Sequence, residues 1–145
     1  MIDIKPLTLE DLESIESILC SDFDDFWNYN VLKSDFENPS TKYIVAKEDN
    51  NIVGFAGMLD TVDQFEITNI VVRKDKRNNG IGKILLNTLI SFAKENNKDR
   101  IYLEVNQKNL AAIALYEKNG FKRISLREKY YNNTYDAIIM VLSIK

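Results

Sequence analysis

Two glycines spaced by one residue, Gly80 and Gly82, follow a basic run, Arg73-Lys74-Asp75-Lys76-Arg77, and open an apolar helical stripe. A turn from strand into helix with such glycines brings several free backbone N–H groups and the positive end of a helix dipole to one point. That arrangement suits a phosphate or pyrophosphate. Arg73, Lys74, Lys76, Arg77 and Lys83 add positive charge around it. The spacing excludes two familiar phosphate loops. Position 77, where a P-loop needs glycine, is Arg, and position 84, where it needs Ser or Thr, is Ile; a dinucleotide fingerprint needs glycine at 85, which is Leu. The chain has no histidine and a single cysteine. An internal disulfide is excluded, Ser-His and Cys-His chemistry lacks its usual parts, and no metal is expected. Acid–base work falls to Glu, Asp, Tyr, Lys or water.

These groups need a frame. Residues 64–72 are rich in β-branched side chains and predict a strand. Apolar residues at 81, 85, 89 and 92, seconded by 84 and 93, predict a helix to about residue 96. Residues 101–105 alternate as a strand again, so a right-handed crossover should leave the two strands adjacent and parallel. Upstream, a short strand ends at Pro6. Thr8, with Asp11 at the capping-box distance, starts a helix striped by Leu9, Leu12, Ile15, Ile18 and Leu19. Cys20 closes that stripe and reads as a small buried hydrophobe. Residues 42–47 and 52–59 predict a hairpin turning at 48–51, with Gly54 and Gly57 hinting at a bulge or a close backbone approach. Downstream, Asn109 caps a helix that Gly120 stops, and 121–126 and 134–144 predict a last pair of strands. Residues 21–38 fit no clean period. There Phe23, Phe26 and Trp27 alternate with carboxylates, either as the packing residues of a second, irregular helix or as a substrate-side wall that attracts a basic peptide.

At 145 residues, 45% hydrophobic and 28% charged, one globular domain over 1–145 is expected. No apolar run approaches the ~20 residues of a membrane span, and no signal peptide is expected, so the reading is cytoplasmic with no membrane partner. A net charge of −3 argues against nucleic acid as a partner.

The hexapeptide Arg77-x-x-Gly80-x-Gly82 resembles the acyl-coenzyme A loop of the GNAT superfamily of N-acetyltransferases. More narrowly, several later stretches are similar to the bacterial ribosomal-protein-alanine N-acetyltransferases. These are Leu103-Glu104-Val105, Asn109-x-x-Ala112-Ile113-x-Leu115-Tyr116-Glu117, Gly120-Phe121, Tyr130-Tyr131 and the run from Asp136 to Met140. The resemblance covers about residues 42–145. It implies an α/β fold: a central, mostly antiparallel sheet with one parallel strand pair around the cofactor, flanked by about four helices. The activity implied is transfer of an acetyl group from acetyl-CoA to the α-amine of a protein N-terminus, such as that of a ribosomal protein.

The resemblance also implies roles. Arg77, Asn78, Asn79, Gly80, Ile81, Gly82 and Lys83 would hold the pyrophosphate. The main chain of Ile70, Val71 and Val72 would pair with the pantetheine arm, and Asn109 would touch the coenzyme near that arm. Glu104 matches the family's general base and Tyr116 its general acid, while Tyr130 and Tyr131 would shape the peptide pocket. Trp27 stands where the family often has a tryptophan. Glu66 competes with Glu104, because many GNAT enzymes place their base near the start of the central strand; Glu66, Thr68 and Ile70 would alternate on one face.

The residue types suit the chemistry. An α-amine with pKa near 7.7–8.0 is already neutral in about a tenth or more of its molecules at pH 7, whereas a lysine at ~10.4 is neutral in less than roughly one in a thousand. A carboxylate acting through water and a tyrosine at the leaving thiol are a reasonable pair for the first. Two other readings stay open: a GNAT enzyme for a small amine (polyamine, amino acid or antibiotic), and a non-catalytic acyl-coenzyme A sensor. The chain is read as a monomer or weak dimer.

Overall fold

Continuous burial along residues 52–58 calls for a sheet covered on both faces, while the in–out pattern of 100–106 marks a strand with one face more open. The structure, a computed structural model, describes residues 1–23, 28–131 and 135–144, and only the backbone at 129–131 and 135. Among them seven strands form one sheet: β1 (Ile2–Pro6), β2 (Thr41–Glu48), β3 (Asn51–Asp60), β4 (Gln64–Val72), β5 (Arg100–Asn106), β6 (Lys122–Tyr131) and β7 (Tyr135–Ser143). Their order is β1-β2-β3-β4-β5-β7-β6. Every neighbouring pair is antiparallel except β4–β5. The helices are α1 (Leu9–Ser14), α2 (Tyr29–Glu37), α3 (Ile81–Glu95) and α4 (Leu110–Lys118). Helices α3 and α4 cover one face over a core that includes Phe65, Ile67, Leu85, Leu86, Leu103, Ile113 and Met140. The α1–α2 side covers the other over Leu12, Leu19, Phe23, Leu32, Val45 and Phe55. No helix of the described residues is long and apolar enough to cross a membrane.

Local chemistry explains most boundaries. Thr8 and Asp11 form the expected reciprocal capping box. The β2–β3 hairpin turns on Asp49 and Asn50 at φ 52° and 67°, the left-handed pair that a two-residue turn requires. Gly57 has no room for a side chain: a Cβ there would collide with Tyr43 Cζ. Asn109 caps α4 by accepting from the Ala112 N–H at 3.2 Å. Gly120, at φ 95°, ends the turn after it.

Several expectations need correction. The first helix stops at Ser14, where Ile15 leaves helical ψ, and a 3₁₀ turn (Glu16–Ile18) and a π turn (Leu19–Phe23) carry the chain on. The wide π turn keeps Leu19 and Phe23 inward, four residues apart, and leaves Cys20 exposed. Residues 29–37 form a regular helix started by Asn28. Leu32 is buried and Tyr29 and Phe36 pack beside it, an i, i+3, i+7 stripe masked in the sequence by the aromatic and acidic residues that precede Asn28. On α3, Ala93 is buried as read, but Ile84 is exposed and Leu86 takes its place in the core stripe. Strand β6 continues through charged residues to Tyr131 because it is the sheet's edge, solvated on both faces over 122–128.

The central strand departs from simple alternation. Asn69 opposes Gly57 and Ile67 opposes Met58, so Thr68 is an extra residue, a β-bulge. Phe65 and Ile67 pack toward α3, and so do Ile70 and Val72. Thr68 and Asn69 bond to side chains of the opposite face, and Val71 packs there. Ile70 therefore does not share a face with Glu66. The tight fit at Gly57 gives a prediction. Gly57→Ala should destabilise the fold by about 1–3 kcal/mol through overpacking, read as a shift of the urea midpoint with the slope unchanged.

Candidate active site

The loop before α3 owes its shape to two left-handed residues, Asn78 at φ 65° and Gly80 at φ 81°, with Gly80 as the N-cap. The Gly80 carbonyl takes the Ile84 N–H at 3.1 Å, and the N–H groups of the first α3 turn have no intrahelical partner. A Cβ at Gly82 would press on Leu115 of α4 at 3.3 Å, so that glycine lets the start of α3 and the flank of α4 close together. Between them and the end of β4 lies a cavity of about 580 Å³.

Its lining includes Ile70, Val71, Val72, Arg77, Asn78, Gly80, Ile81, Gly82, Lys83, Asn109 and Tyr116 from the sequence reading. Phe23, Ala111, Ala112 and Leu115 join them. Ala111, Ala112 and Leu115 were not read as site residues, the adjacent alanines being the one signal that could have found them; Phe23 was read only as packing or substrate wall. Lys74 and Lys76 also line the cavity; Lys76 is paired with Glu48 at 2.8 Å. Lys74 and Lys83 form no ion pair among the described residues.

Two loop residues do something other than line the cavity with free polar groups. Arg77 donates from Nη2 to the Phe23 carbonyl at 2.7 Å and from Nε to the Val72 carbonyl at 3.1 Å, tying the π turn to the end of β4. Asn79 is outside the cavity and closes the loop on itself through the carbonyls of Lys76 and Arg77. Asn109 spends its carboxamide oxygen on the α4 cap, which leaves its amino group as a donor at the cavity. Seven residues on, Tyr116 lines the same cavity, buried at 6% exposure and 5.6 Å from the Phe121 ring.

The carboxylates lie across the sheet. Strands β4 and β5 are paired only from Gln64↔Arg100 to Ile67↔Leu103. Glu66 and Glu104 stand on these two strands on the face away from α3 and α4. Glu104 accepts from the Tyr102 hydroxyl at 2.7 Å and from Arg127 at 3.1 Å. Burial, then the neighbouring Glu104 charge, raises the Glu66 pKa; Arg127 opposes the shift and Asp35 adds to it. Burial and the bond to Glu104 push the Tyr102 phenol well above its ordinary range, so it remains a donor. Trp27 lies outside the described residues. Tyr130 and Tyr131 end β6, and their side chains also lie outside the described set.

Residues 9–121 match the acetyltransferase (GNAT) family. Over 117 residues the chain is 36% identical to the ribosomal protein bS18-alanine N-acetyltransferase of Salmonella typhimurium, covering 77% of this chain and 79% of that protein. The Escherichia coli ribosomal-protein-S18-alanine N-acetyltransferase superposes with a TM-score of 0.90 at 30% identity, over 100% of this chain and 95% of that one. A chain of the NatC complex bound to Gag peptide and CoA superposes at 0.82 with 26% identity, over 99% of each. An N-acetyltransferase is what this fold and these relatives define. The chain belongs to the GNAT family, whose members use acetyl-CoA.

Two predictions test the geometry. Gly82→Asp places a carboxylate where α3 meets α4 and where an anion would sit, so acetyl-CoA affinity by calorimetry should fall at least about tenfold; unchanged affinity would make the loop only a turn. The second concerns Glu66. A raised folded pKa means the folded state holds its proton more tightly, so this residue's contribution to stability falls as pH rises from the ordinary value of 4.5 through the raised one. Glu66→Gln should therefore be at least as stable as wild type at pH 8, with an advantage that vanishes below pH 4.5, measured by urea unfolding across pH.

Proposed function

We propose that this chain transfers an acetyl group from acetyl-CoA to the α-amine of a protein N-terminus, a ribosomal protein being the substrate class its relatives suggest. The observation that carries the reading is the parting of β4 and β5 between an anion loop on one face and paired carboxylates on the other. A long cofactor fits this arrangement. Free N–H groups at α3, with Lys74 and Lys83, suit its pyrophosphate; the unpaired edge of Ile70 to Val72 suits the amides of its arm; and the Asn109 amino group suits a carbonyl beside that arm. Acetyl-CoA supplies the thioester, and the chain's own residues do the rest.

Glu104, fixed by Tyr102 and Arg127, takes the amine's proton through a water. Tyr116, two helical turns beyond Asn109 and on the same side of α4, protonates the departing sulfur. Glu66, neighbouring Glu104, makes the amine side of the cleft acidic and favours a cationic substrate. The enzyme acts in the cytoplasm as a single domain.

Acetyl transfer from labelled acetyl-CoA to peptides with N-terminal alanine, set beside free small amines, tests this. Peptides should be the better substrates; a preference for a polyamine or amino acid would move the assignment to the small-amine class. Glu104→Gln should lower kcat by ~10²–10⁴-fold, less at high pH where the amine is already neutral. Tyr116→Phe should lower kcat while leaving acetyl-CoA affinity unchanged. If Glu66→Gln carries the first signature instead, Glu66 is the base.

A further inference from the structure

The face of the sheet that carries Glu66 and Glu104 also holds a polar cluster that the proton transfers above do not use. The hydroxyl of Tyr43, on β2, donates to Asp35 Oδ2 on α2. Thr68, the bulged residue, donates to the same oxygen at 3.2 Å. The Tyr43 oxygen in turn accepts from Asn69 Nδ2 at 2.9 Å. The Tyr43 ring is buried and sits against the missing side chain of Gly57. Burial and the Asp35 carboxylate push its pKa far above the ordinary phenol range, so it keeps its proton.

That chain of donors settles which way the Asn69 amide faces. With its proton committed to Asp35, Tyr43 has only lone pairs to offer, so the amino group of Asn69 must face it and Oδ1 must face away. Asn69 Oδ1 is shielded from solvent and has no donor among the described residues, the one buried side-chain atom of which that is so. Buried acceptors ordinarily have a partner. Here the amide is locked with its oxygen unspent, which is the state expected of an acceptor kept for a ligand.

Its position says which ligand. Asn69 lies two residues beyond Ile67, the last residue of β4 paired with β5, where the two strands part. It shares the face of Glu66, three residues away, and Asp35 is near enough for its charge to act on Glu66. We propose that Asn69 Oδ1 accepts an N–H of the substrate amine, and that Tyr43, Asp35 and Thr68 are positioning residues that hold it in place. The inference rests on the reading of the substrate as an α-amine. An ammonium that gives one proton to the base keeps two N–H bonds and gains a lone pair. That lone pair attacks the thioester carbon, the C–S bond breaks, the sulfur leaves with a proton from Tyr116, and the new amide nitrogen sheds one of its two protons, which returns through water to the Tyr116 phenolate. One N–H held by Asn69 aims the lone pair during attack.

A double-mutant cycle between protein and substrate tests this. Calorimetry with coenzyme A in place of acetyl-CoA prevents turnover and compares a peptide starting with alanine against the same peptide starting with a propionyl group, which lacks the amine. Wild type should prefer the amine, and Asn69→Leu, similar in size but with no acceptor, should lower that preference about tenfold with coenzyme A affinity unchanged. A preference equal to wild type, even with weaker overall binding, would show a packing role and overturn the inference. Should Asn69→Leu fail to fold, Tyr43→Phe keeps the ring, frees the amide, and should lower the same preference; no change there also overturns it. A wild-type protein that ignores the amine would overturn the α-amine reading, and this inference with it.

Discussion

Strands β4 and β5 start as parallel neighbours and separate after four residue pairs, and the rest of the site depends on that separation. A backbone edge inside a sheet must find partners for its N–H and C=O groups. Beyond Ile67 the partners of β4 toward β5 are gone, while its other edge stays paired with β3 to Val72. The outcome is an internal edge of the kind to which an extended ligand adds as a strand. The Thr68 bulge belongs to the same constraint. Bulges bend a strand and increase its twist, and this one falls where the two strands part.

Two chemistries then meet without mixing. On the α3 and α4 face, glycines keep backbone within reach of an anion, and Gly82 also lets the two helices close on each other. On the opposite face, Glu66 and Glu104 stand close enough for one charge to act on the other, with Arg127 and Tyr102 moderating the repulsion. Arg77 bridges the two regions: it holds the π turn of the second face to the end of β4 at the first. A residue expected to meet phosphate is thus also a fastener between the halves of the site.

Wherever a local rule decides, the sequence was legible. The Thr8–Asp11 capping box, the Asp49-Asn50 turn, the crossover from β4 to β5, the Asn109 cap and the glycine loop were all readable from residue type and spacing. Tertiary context decided the rest. The bulge at Thr68 leaves no mark in a run of β-branched residues, so the face of Ile70 was read wrongly. Helix α2 packs only the short stripe Tyr29, Leu32 and Phe36, which the aromatics just before it obscured. Cys20 was misplaced because a π turn changes the angle per residue. The Phe23 carbonyl that Arg77 holds and the Tyr43 hydroxyl that Asn69 meets are 54 and 26 residues away, beyond the reach of any spacing rule.

The central claim is that the parted edge of β4 and the first turn of α3 together hold acetyl-CoA. Amide hydrogen exchange by NMR, with and without acetyl-CoA, tests it residue by residue. The account predicts that the amides of Ile70, Val71 or Val72 and those of Gly80 to Lys83 slow markedly on binding, while the Ile67 amide, already flanked by β5, changes little. Protection confined to the helix turn, with β4 exchanging as before, would contradict it.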